Sequence, residues 1–597
     1  MKIFYLLLLI FVTSCTTEFK KEDLPQAENP DDSVLLLAGV NDPLEPFNRT
    51  MFSLNKGLFK YIIYPATEGY NYVMPEVART GIRDFYENLL YPVRVVNNLA
   101  QTQWHEAWVE TKRFGINTTV GFLGFTDPAT DKYGLKLYDE DLGLTFGHYG
   151  WEPQMYIYLP IINASSERDL LGRIGDSFLD PATYYFPASP ALAFNNLSFT
   201  AKGIYEVLKT QYDPYELNHL LYSVQRTAPK YAINMASDPA SNSVQTIYAT
   251  FVMPQNKDFI DEVEEGTIKL EGFREELNYN IWRNPEAKRT IYILPGLGEH
   301  RSSSRIQALA EIAYNQNYNV ISFSNTFNWE FLKAAPKSFF AGYINDDLEK
   351  INLLIDAIEA DLPELSDQKK SLMGMSLGAW YTLNLAALDN GKFDKFIVIN
   401  PPVNLIEGLQ VVDSLYRTPF NDRQKEDAIK VANVSSLKAL AAITGGPRTS
   451  NQLPFTHDEA SFLVGLNFRF TLRDALFAGQ YDDLTGFYES RELIYDKLSS
   501  ISFGDYFNKI VLPKLKERGI SKEEVYKSSD IRNSSKSLKK ADGLRVFLSA
   551  NDFLLTPEYL GWFEDTLGDR VSINPTGGHL GNLVQPQVLK SIQESLK

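Results

Sequence analysis

The chain has 597 residues, of which 44% are hydrophobic and 22% charged, so it is long enough for two or more globular domains. Its net charge of −17 excludes nucleic acid as a partner, because phosphate binding needs a basic face. The same charge gives no general attraction to anionic lipid, so membrane contact must be apolar or covalent. The single cysteine, Cys15, excludes a disulfide framework and a cysteine-based metal site.

Residues 1–14 have the pattern of a secretory signal peptide. Met1-Lys2 is basic, and the apolar run over residues 3–12 is shorter than the ~20 residues that span a bilayer. The segment ending at Cys15 resembles a bacterial lipobox, which implies lipidation of Cys15, and Thr16 after it implies sorting to the outer membrane. An ordinary signal peptide with an unrelated cysteine is the alternative. The polar, charged residues 15–38 predict a flexible tether.

Residues 39–236 predict a mainly α-helical domain. Met51, Leu54, Leu58 and Ile62 fall on one helical face, and Pro65 is expected to end that helix. Further helices are predicted at residues 76–90 and 107–115, and no strand pattern of useful length is present. The wide apolar faces fit a buried bundle core or a helical assembly that lies in a membrane plane.

Ordered motifs run through this region: DPLEPFNR at 42–49, GIRDF at 81–85, RFGINTT at 113–119, GFTDPA at 124–129 and EDLGLTFG at 140–147. With them, residues 40–230 resemble the MlaA (VacJ) lipoprotein family. The resemblance implies a non-enzymatic helical ring in the inner leaflet of the outer membrane. Its channel would pass misplaced phospholipid to a periplasmic lipid carrier, and a trimeric porin would be a partner. Residues 151–158 depart from the family pattern near the pore, which puts lipid selectivity in question.

Residues 245–597 predict an α/β domain after a boundary at 237–242. Strands are expected at 244–253, 267–282, 289–294, 318–324, 371–373, 393–400, 544–549 and 570–574, with helices at 307–314 and 346–358 between them. Alternating strands and helices predict a parallel sheet with its site beyond the carboxyl ends of the strands.

The string Gly374-Met375-Ser376-Leu377-Gly378 matches the G-x-S-x-G nucleophile elbow, in which a tight strand-to-helix turn exposes the serine. With this motif, the region resembles the α/β-hydrolase family, whose catalytic order is serine, acid, histidine. Downstream of Ser376 the sequence holds two histidines, and His579 follows the last predicted strand.

The family order also points to Asp552, which follows the strand at 544–549. A turn-forming acid and a loop-capping histidine are the structural alternatives for Asp552 and His579. The resemblance implies an oxyanion hole from the backbone N–H groups of Leu377 and Leu297. His300 near that loop is expected to be structural.

Residues 403–541 predict a helical cap that covers Ser376 and shapes the substrate pocket. The expected protein is therefore multidomain, an MlaA-like helical ring followed by an α/β-hydrolase domain, with phospholipid and the outer membrane as partners. It would cleave lipid or lipid-like esters. A non-catalytic docking domain and a tethered peptidase or small-ester hydrolase are the alternatives. Neither a dinucleotide motif nor a metal cluster occurs in the sequence, so no cofactor is expected.

Overall fold

The computed structural model describes residues 27, 39–185, 188–227, 236–388, 391–443, 453–482 and 491–597. The predicted signal peptide, Cys15 and nearly all of the tether lie outside the described residues, as does part of the predicted cap.

The N-terminal domain is helical, apart from one small hairpin, as predicted. The hairpin consists of antiparallel strands β1 (Tyr156–Leu159) and β2 (Asn163–Ser166). The helices are α1 (Glu45–Leu58), α2 (Tyr64–Val73), α3 (Glu76–Leu89), α4 (Tyr91–Ala100), α5 (Trp104–Thr119), α6 (Pro128–Asp131), α7 (Leu142–His148), α8 (Glu167–Asp176), α9 (Ala188–Thr210) and α10 (Pro214–Thr227), with a 3-10 turn at Pro181–Tyr184.

The expectation that Pro65 ends the first helix is wrong. A π turn, Phe59–Ile63, joins α1 directly to α2, and the N–H of Tyr64 donates to the carbonyl of Phe59. Pro65 thus lies in the first turn of α2, directly after the π turn, and its missing N–H does not end the helical path. The helical path therefore continues to Val73.

This domain exposes many large apolar side chains and buries many polar ones beside a small aromatic cluster. Of the 34 exposed large apolar side chains in the described residues, 29 belong to residues 39–229. The interior instead holds buried ion pairs such as Arg94–Glu110 and Arg168–Asp169. Because a water-soluble bundle buries its apolar stripe, this distribution favours the membrane-plane alternative over the buried-core one. No described helix combines the length and apolar character needed to cross a bilayer.

An eight-stranded sheet forms the core of the C-terminal domain, in the order β10-β9-β8-β7-β5-β6-β4-β3. Strand β4 is antiparallel to β3 and β6, and all other neighbours are parallel. This is the strand order of the α/β-hydrolase fold, so the predicted fold class is confirmed. The strands are β3 (Glu264–Ile268), β4 (Leu277–Trp282), β5 (Arg289–Leu294), β6 (Tyr318–Phe323), β7 (Lys369–Met375), β8 (Lys395–Ile399), β9 (Leu544–Ser549) and β10 (Val571–Asn574).

Helices cover both faces of the sheet. They are α11 (Asn242–Ile247), α12 (Ser304–Tyr314), α13 (Trp329–Ala334), α14 (Ile344–Asp361), α15 (Leu377–Leu388), α24 (Pro557–Leu567) and α25 (Pro586–Leu596). Short 3-10 turns lie at Tyr248–Phe251, Lys257–Glu262, Pro363–Leu365, Gly568–Arg570 and Gly581–Val584.

Two strand predictions at the start of this domain are wrong. Residues 244–253 form α11 and a 3-10 turn, because the hydroxyl of Ser241 accepts from the N–H of Val244 and caps a helix. Residues 267–282 are not one strand but the end of β3, a turn and β4.

A helical insertion between β8 and β9 forms the predicted cap. Its α-helices are α16 (Leu405–Arg417), α17 (Lys425–Ile443), α18 (His457–Leu476), α19 (Glu492–Ser499), α20 (Phe503–Tyr506), α21 (Leu512–Glu517), α22 (Lys522–Ser528) and α23 (Ser535–Leu538). Short 3-10 and π turns lie at Thr418–Phe420, Phe477–Tyr481, Phe507–Val511 and Ile531–Ser534.

Candidate active site

Ser376 stands between the end of β7 and the start of α15 with a φ of 53°, a left-handed conformation that costs a non-glycine residue free energy. A Cβ added at Gly374 would lie 2.2 Å from the carbonyl oxygen of Gly378, and one added at Gly378 would lie 2.0 Å from that of Leu294. The motif glycines are therefore required by close backbone packing. The turn presents the Ser376 side chain at the carboxyl edge of the sheet.

The structure brings Ser376, His579 and Asp552 together at that edge. His579 Nε2 lies 2.8 Å from Ser376 Oγ, and His579 Nδ1 lies 2.8 Å from Asp552 Oδ2. All three residues are buried, with exposed fractions of 6%, 3% and 3%. Since a carboxylate only accepts, the proton is on Nδ1, and Nε2 is left to accept from the serine hydroxyl.

Asp552 is itself held by polar contacts that the sequence analysis missed. Asn400 Nδ2 donates to the same Oδ2 atom over 2.8 Å, and the N–H of Leu554 donates to Oδ1 over 2.9 Å. Asn582 Nδ2 in turn donates to Asn400 Oδ1 over 3.0 Å. Asn400 directly follows β8, so its place at the carboxyl edge of the sheet was the available signal.

A small apolar cleft opens beside Ser376. One wall is a face of α16, and another is Phe468 of α18. His579 is the one titratable side chain among the lining residues, which are Leu297, Ser376, Leu377, Pro402, Leu405, Gly408, Leu409, Val412, Phe468, Phe553, Leu554 and His579. Such a cleft suits an acyl or other apolar group next to the reacting atom.

Leu297 and Leu377 both border this cleft. Strand β5 pairs with β7 in a register that places Leu294 opposite Gly374, so the turn after β5 lies beside the elbow. The two residues that the family resemblance implied for an oxyanion hole thus flank Ser376.

Two other histidines of the C-terminal domain, His300 and His457, lie away from this site. His300 is buried against Arg301 and Glu330, and this burial lowers its pKa to about 4. His457 begins α18, and its Nδ1 lies 2.9 Å from the hydroxyl of Ser241. Its site is the contact between the cap and the segment that precedes the sheet.

Residues of the N-terminal motifs form the buried polar interior of the helical domain. Asn48 Nδ2 donates to Asp42 over 2.7 Å, and Arg113 Nη2 donates to Asp127 over 2.8 Å. Buried polar groups need such partners, so these residue types are required by the polar interior. Residues 40–229 match the model of the MlaA lipoprotein family.

Residues 40–229 are therefore similar to MlaA lipoproteins. A curated relative from Haemophilus influenzae, the intermembrane phospholipid transport system lipoprotein MlaA, is 37% identical over 149 residues. That alignment covers 25% of this chain and 58% of the relative, so the chain spans somewhat more than half of the relative's length.

Two solved structures are each similar to part of the chain. One, from work on the maintenance of bacterial outer membrane lipid asymmetry, is 28% identical, covers 31% of this chain and 97% of its own, and has a TM-score of 0.29. An esterase of Pyrococcus furiosus is 13% identical, covers 58% of this chain and 98% of its own, and has a TM-score of 0.32.

The helical N-terminal domain contacts the cap directly through a buried ionic joint centred on Asp213. Arg49 Nη1 lies 2.8 Å from Asp213 Oδ2, Tyr495 OH donates to the same oxygen over 2.9 Å, and Arg491 Nη1 lies 3.7 Å away. Burial acts to raise the pKa of Asp213, but Arg49 and Arg491 hold it below its usual range. Because Arg491 and Tyr495 belong to the cap, the joint fixes the cap and the helical N-terminal domain to each other.

Proposed function

We propose that this protein is an outer-membrane lipoprotein that transports phospholipid through its MlaA domain and cleaves lipid esters with its hydrolase domain. The observation that carries the enzymatic half is the unbroken Ser376–His579–Asp552 hydrogen-bond relay. A docking domain would have no need to hold a buried serine, imidazole and carboxylate in this order.

In this proposal, Ser376 Oγ attacks the ester carbonyl while His579 Nε2 takes its proton. Asp552 holds the Nδ1–H tautomer and stabilises the imidazolium that forms. The tetrahedral oxyanion accepts hydrogen bonds from the N–H groups of Leu377 and Leu297. His579 then protonates the leaving alcohol, and water, activated by the same imidazole, releases the acyl group from Ser376.

The cleft favours an acyl ester over a peptide. Among the residues that the structure describes, its walls are aliphatic and aromatic and carry no acidic side chain that would bind a peptide amino group. An acyl chain gains ~0.8 kcal/mol per buried CH₂ in such surroundings. The apolar exterior of the MlaA-like domain supports a lipid surface as the location of this chemistry.

The remaining assignments rest on the family resemblance and the N-terminal sequence. Lipidation of Cys15 would anchor the chain on the periplasmic side of the outer membrane. A trimeric porin and a periplasmic lipid carrier are the proposed partners of the MlaA domain. Co-purification from solubilised outer membranes, with a Cys15→Ser variant as control, tests the anchor and the partners together.

The test of the enzyme uses the full chain in phosphatidylethanolamine vesicles and in lysophospholipid micelles. Fatty acid release should occur with the wild type and be lost in Ser376→Ala. Ser414→Ala is the matched control, because Ser414 lies on the outer face of α16 with its hydroxyl donated to the carbonyl of Val411. Labelling of Ser376 by a fluorophosphonate should follow the same pattern. Equal release by wild type and Ser376→Ala would refute the proposal.

A further inference from the structure

The segment that joins the two domains lies against the loop that carries His579. Helix α11 lies in this joining segment, ahead of the first strand of the sheet. We propose that α11 sets the position of the catalytic histidine, with Gln245 and Thr246 as positioning residues. This inference rests on the proposed hydrolase function.

Two side chains of α11 bind the backbone of the histidine loop. The hydroxyl of Thr246 accepts from the N–H of His579 over 2.9 Å. Gln245 Oε1 accepts from the N–H of Gly577 over 2.8 Å. The same oxygen accepts from Asn551 Nδ2 over 2.8 Å, and Asn551 directly precedes the acid of the triad. One helix therefore holds both the base loop and the acid loop.

The close packing of this helix accounts for the glycines around His579. A Cβ at Gly578, where φ is 54°, would lie 2.1 Å from the carbonyl oxygen of Asn242. A Cβ at Gly581 would lie 1.9 Å from that of Gln245. Residues 577–581 (GGHLG) therefore pack closely against α11, and the conformation of this loop depends on that contact.

The opposite side of the joining segment binds cap helix α18. The Ser241 hydroxyl lies 2.9 Å from His457 Nδ1, and the Ser243 hydroxyl lies 2.8 Å from that of Ser461. The same α18 supplies Phe468 to the wall of the cleft. Helix α11 is therefore clamped between the cap and the histidine loop, and this fixes its distance from the triad.

Removing the Thr246 hydroxyl should displace the backbone at His579 without altering the cleft, because neither Gln245 nor Thr246 borders it. A misplacement of ~1 Å at a reacting group lowers the rate by about 100-fold. Thr246→Val and Gln245→Met should therefore lower kcat by about 10- to 100-fold with KM unchanged. Thr246→Ser keeps the accepting oxygen and should recover most of the loss.

The matched control is Thr250→Val. Thr250 lies one turn further along, and its exposed hydroxyl donates to the carbonyl of Ile247. The assay is ester hydrolysis by the full chain, with thermal unfolding recorded for each variant. A kcat for Thr246→Val within about twofold of wild type would overturn the inference, as would equal losses in Thr250→Val or a failed rescue by serine. A wild-type rate no higher than that of Ser376→Ala would instead refute the hydrolase function itself.

Discussion

Substitution of Gly408 tests which acyl-chain lengths the cleft accepts. It lies on α16 and borders the cleft, and a Cβ added there would lie 3.4 Å from Pro402 Cβ and 3.6 Å from Leu554 Cδ2. These are ordinary contact distances, so Gly408→Ala needs no backbone shift. Gly408→Leu would place its remaining atoms in the space beside Ser376.

The expected magnitude follows from apolar burial. Each CH₂ that enters the cleft contributes ~0.8 kcal/mol, which is about a fourfold rise in kcat/KM. Six methylenes separate acetyl from octanoyl esters, so the wild type should prefer octanoyl by up to about 10³-fold, the value for burial of all six. Gly408→Leu should remove most of this preference while acetyl ester hydrolysis changes less, since an acetyl group needs only the part of the cleft next to Ser376.

The assay is a series of p-nitrophenyl esters from acetyl to dodecanoyl. Gly561→Leu is the matched control, because Gly561 lies within α24 and no atom is within 4 Å of its added Cβ. Two results would refute the reasoning: a wild type indifferent to chain length, or a Gly408→Leu variant that loses all esters in the same proportion.

Three further predictions concern the support of the site and the stability of the chain. Asn400→Ala should lower kcat about tenfold or more with little change in KM, because Asp552 loses a buried donor; an unchanged kcat would contradict this. Burial raises the pKa of Asp347 to about 8, so ionisation of the unfolded chain lowers the free energy of unfolding as pH rises from about 4 to about 8. Asp347→Asn should therefore raise Tm more at pH 8 than at pH 5, and equal shifts would refute it. Asp213→Ala should lower the free energy of unfolding, measured with denaturant, by about 3–5 kcal/mol, because it leaves buried cations unpaired. The control Asp261→Ala, in the partly exposed pair with Lys202, should lower it by less than about 1 kcal/mol.

The local sequence pattern was sufficient to predict several of the strands near the Ser376 turn. Strands β5 and β9 begin and end where the runs of β-branched and aromatic residues predicted, because buried parallel strands have a continuous apolar sequence. The glycine spacing around Ser376 marks the turn for the same local reason. The pairing of Asp552 with His579 came from the order of the family rather than from local pattern.

The prediction from sequence periodicity was wrong where a helical and a strand periodicity coincide. Val244, Tyr248 and Phe251 have helical spacing. The same stretch also shows the alternating pattern of a strand, and that alternation predicts a strand. The error hid Thr246 and Gln245, whose contacts are made with residues more than 300 positions away. Such contacts leave no trace in the local sequence.

The helical domain posed a different difficulty. An amphipathic helix has the same sequence pattern whether its apolar face points to a core or to lipid, so the two alternatives could not be separated by periodicity. The structure separates them by exposure, since Trp104, Trp108 and Phe122 are each at least 60% exposed.

The ionic joint at Asp213 affects how the proposed lipid transport and the proposed ester hydrolysis would be coupled. An enzyme on a flexible linker meets substrate anywhere within reach of that linker, at a local concentration set by the linker length. Here each copy instead has one nucleophile in a fixed orientation to one helical domain. On the proposed function, turnover would then be limited by how fast lipid arrives along a single route, and cells could raise it by making more copies of the protein.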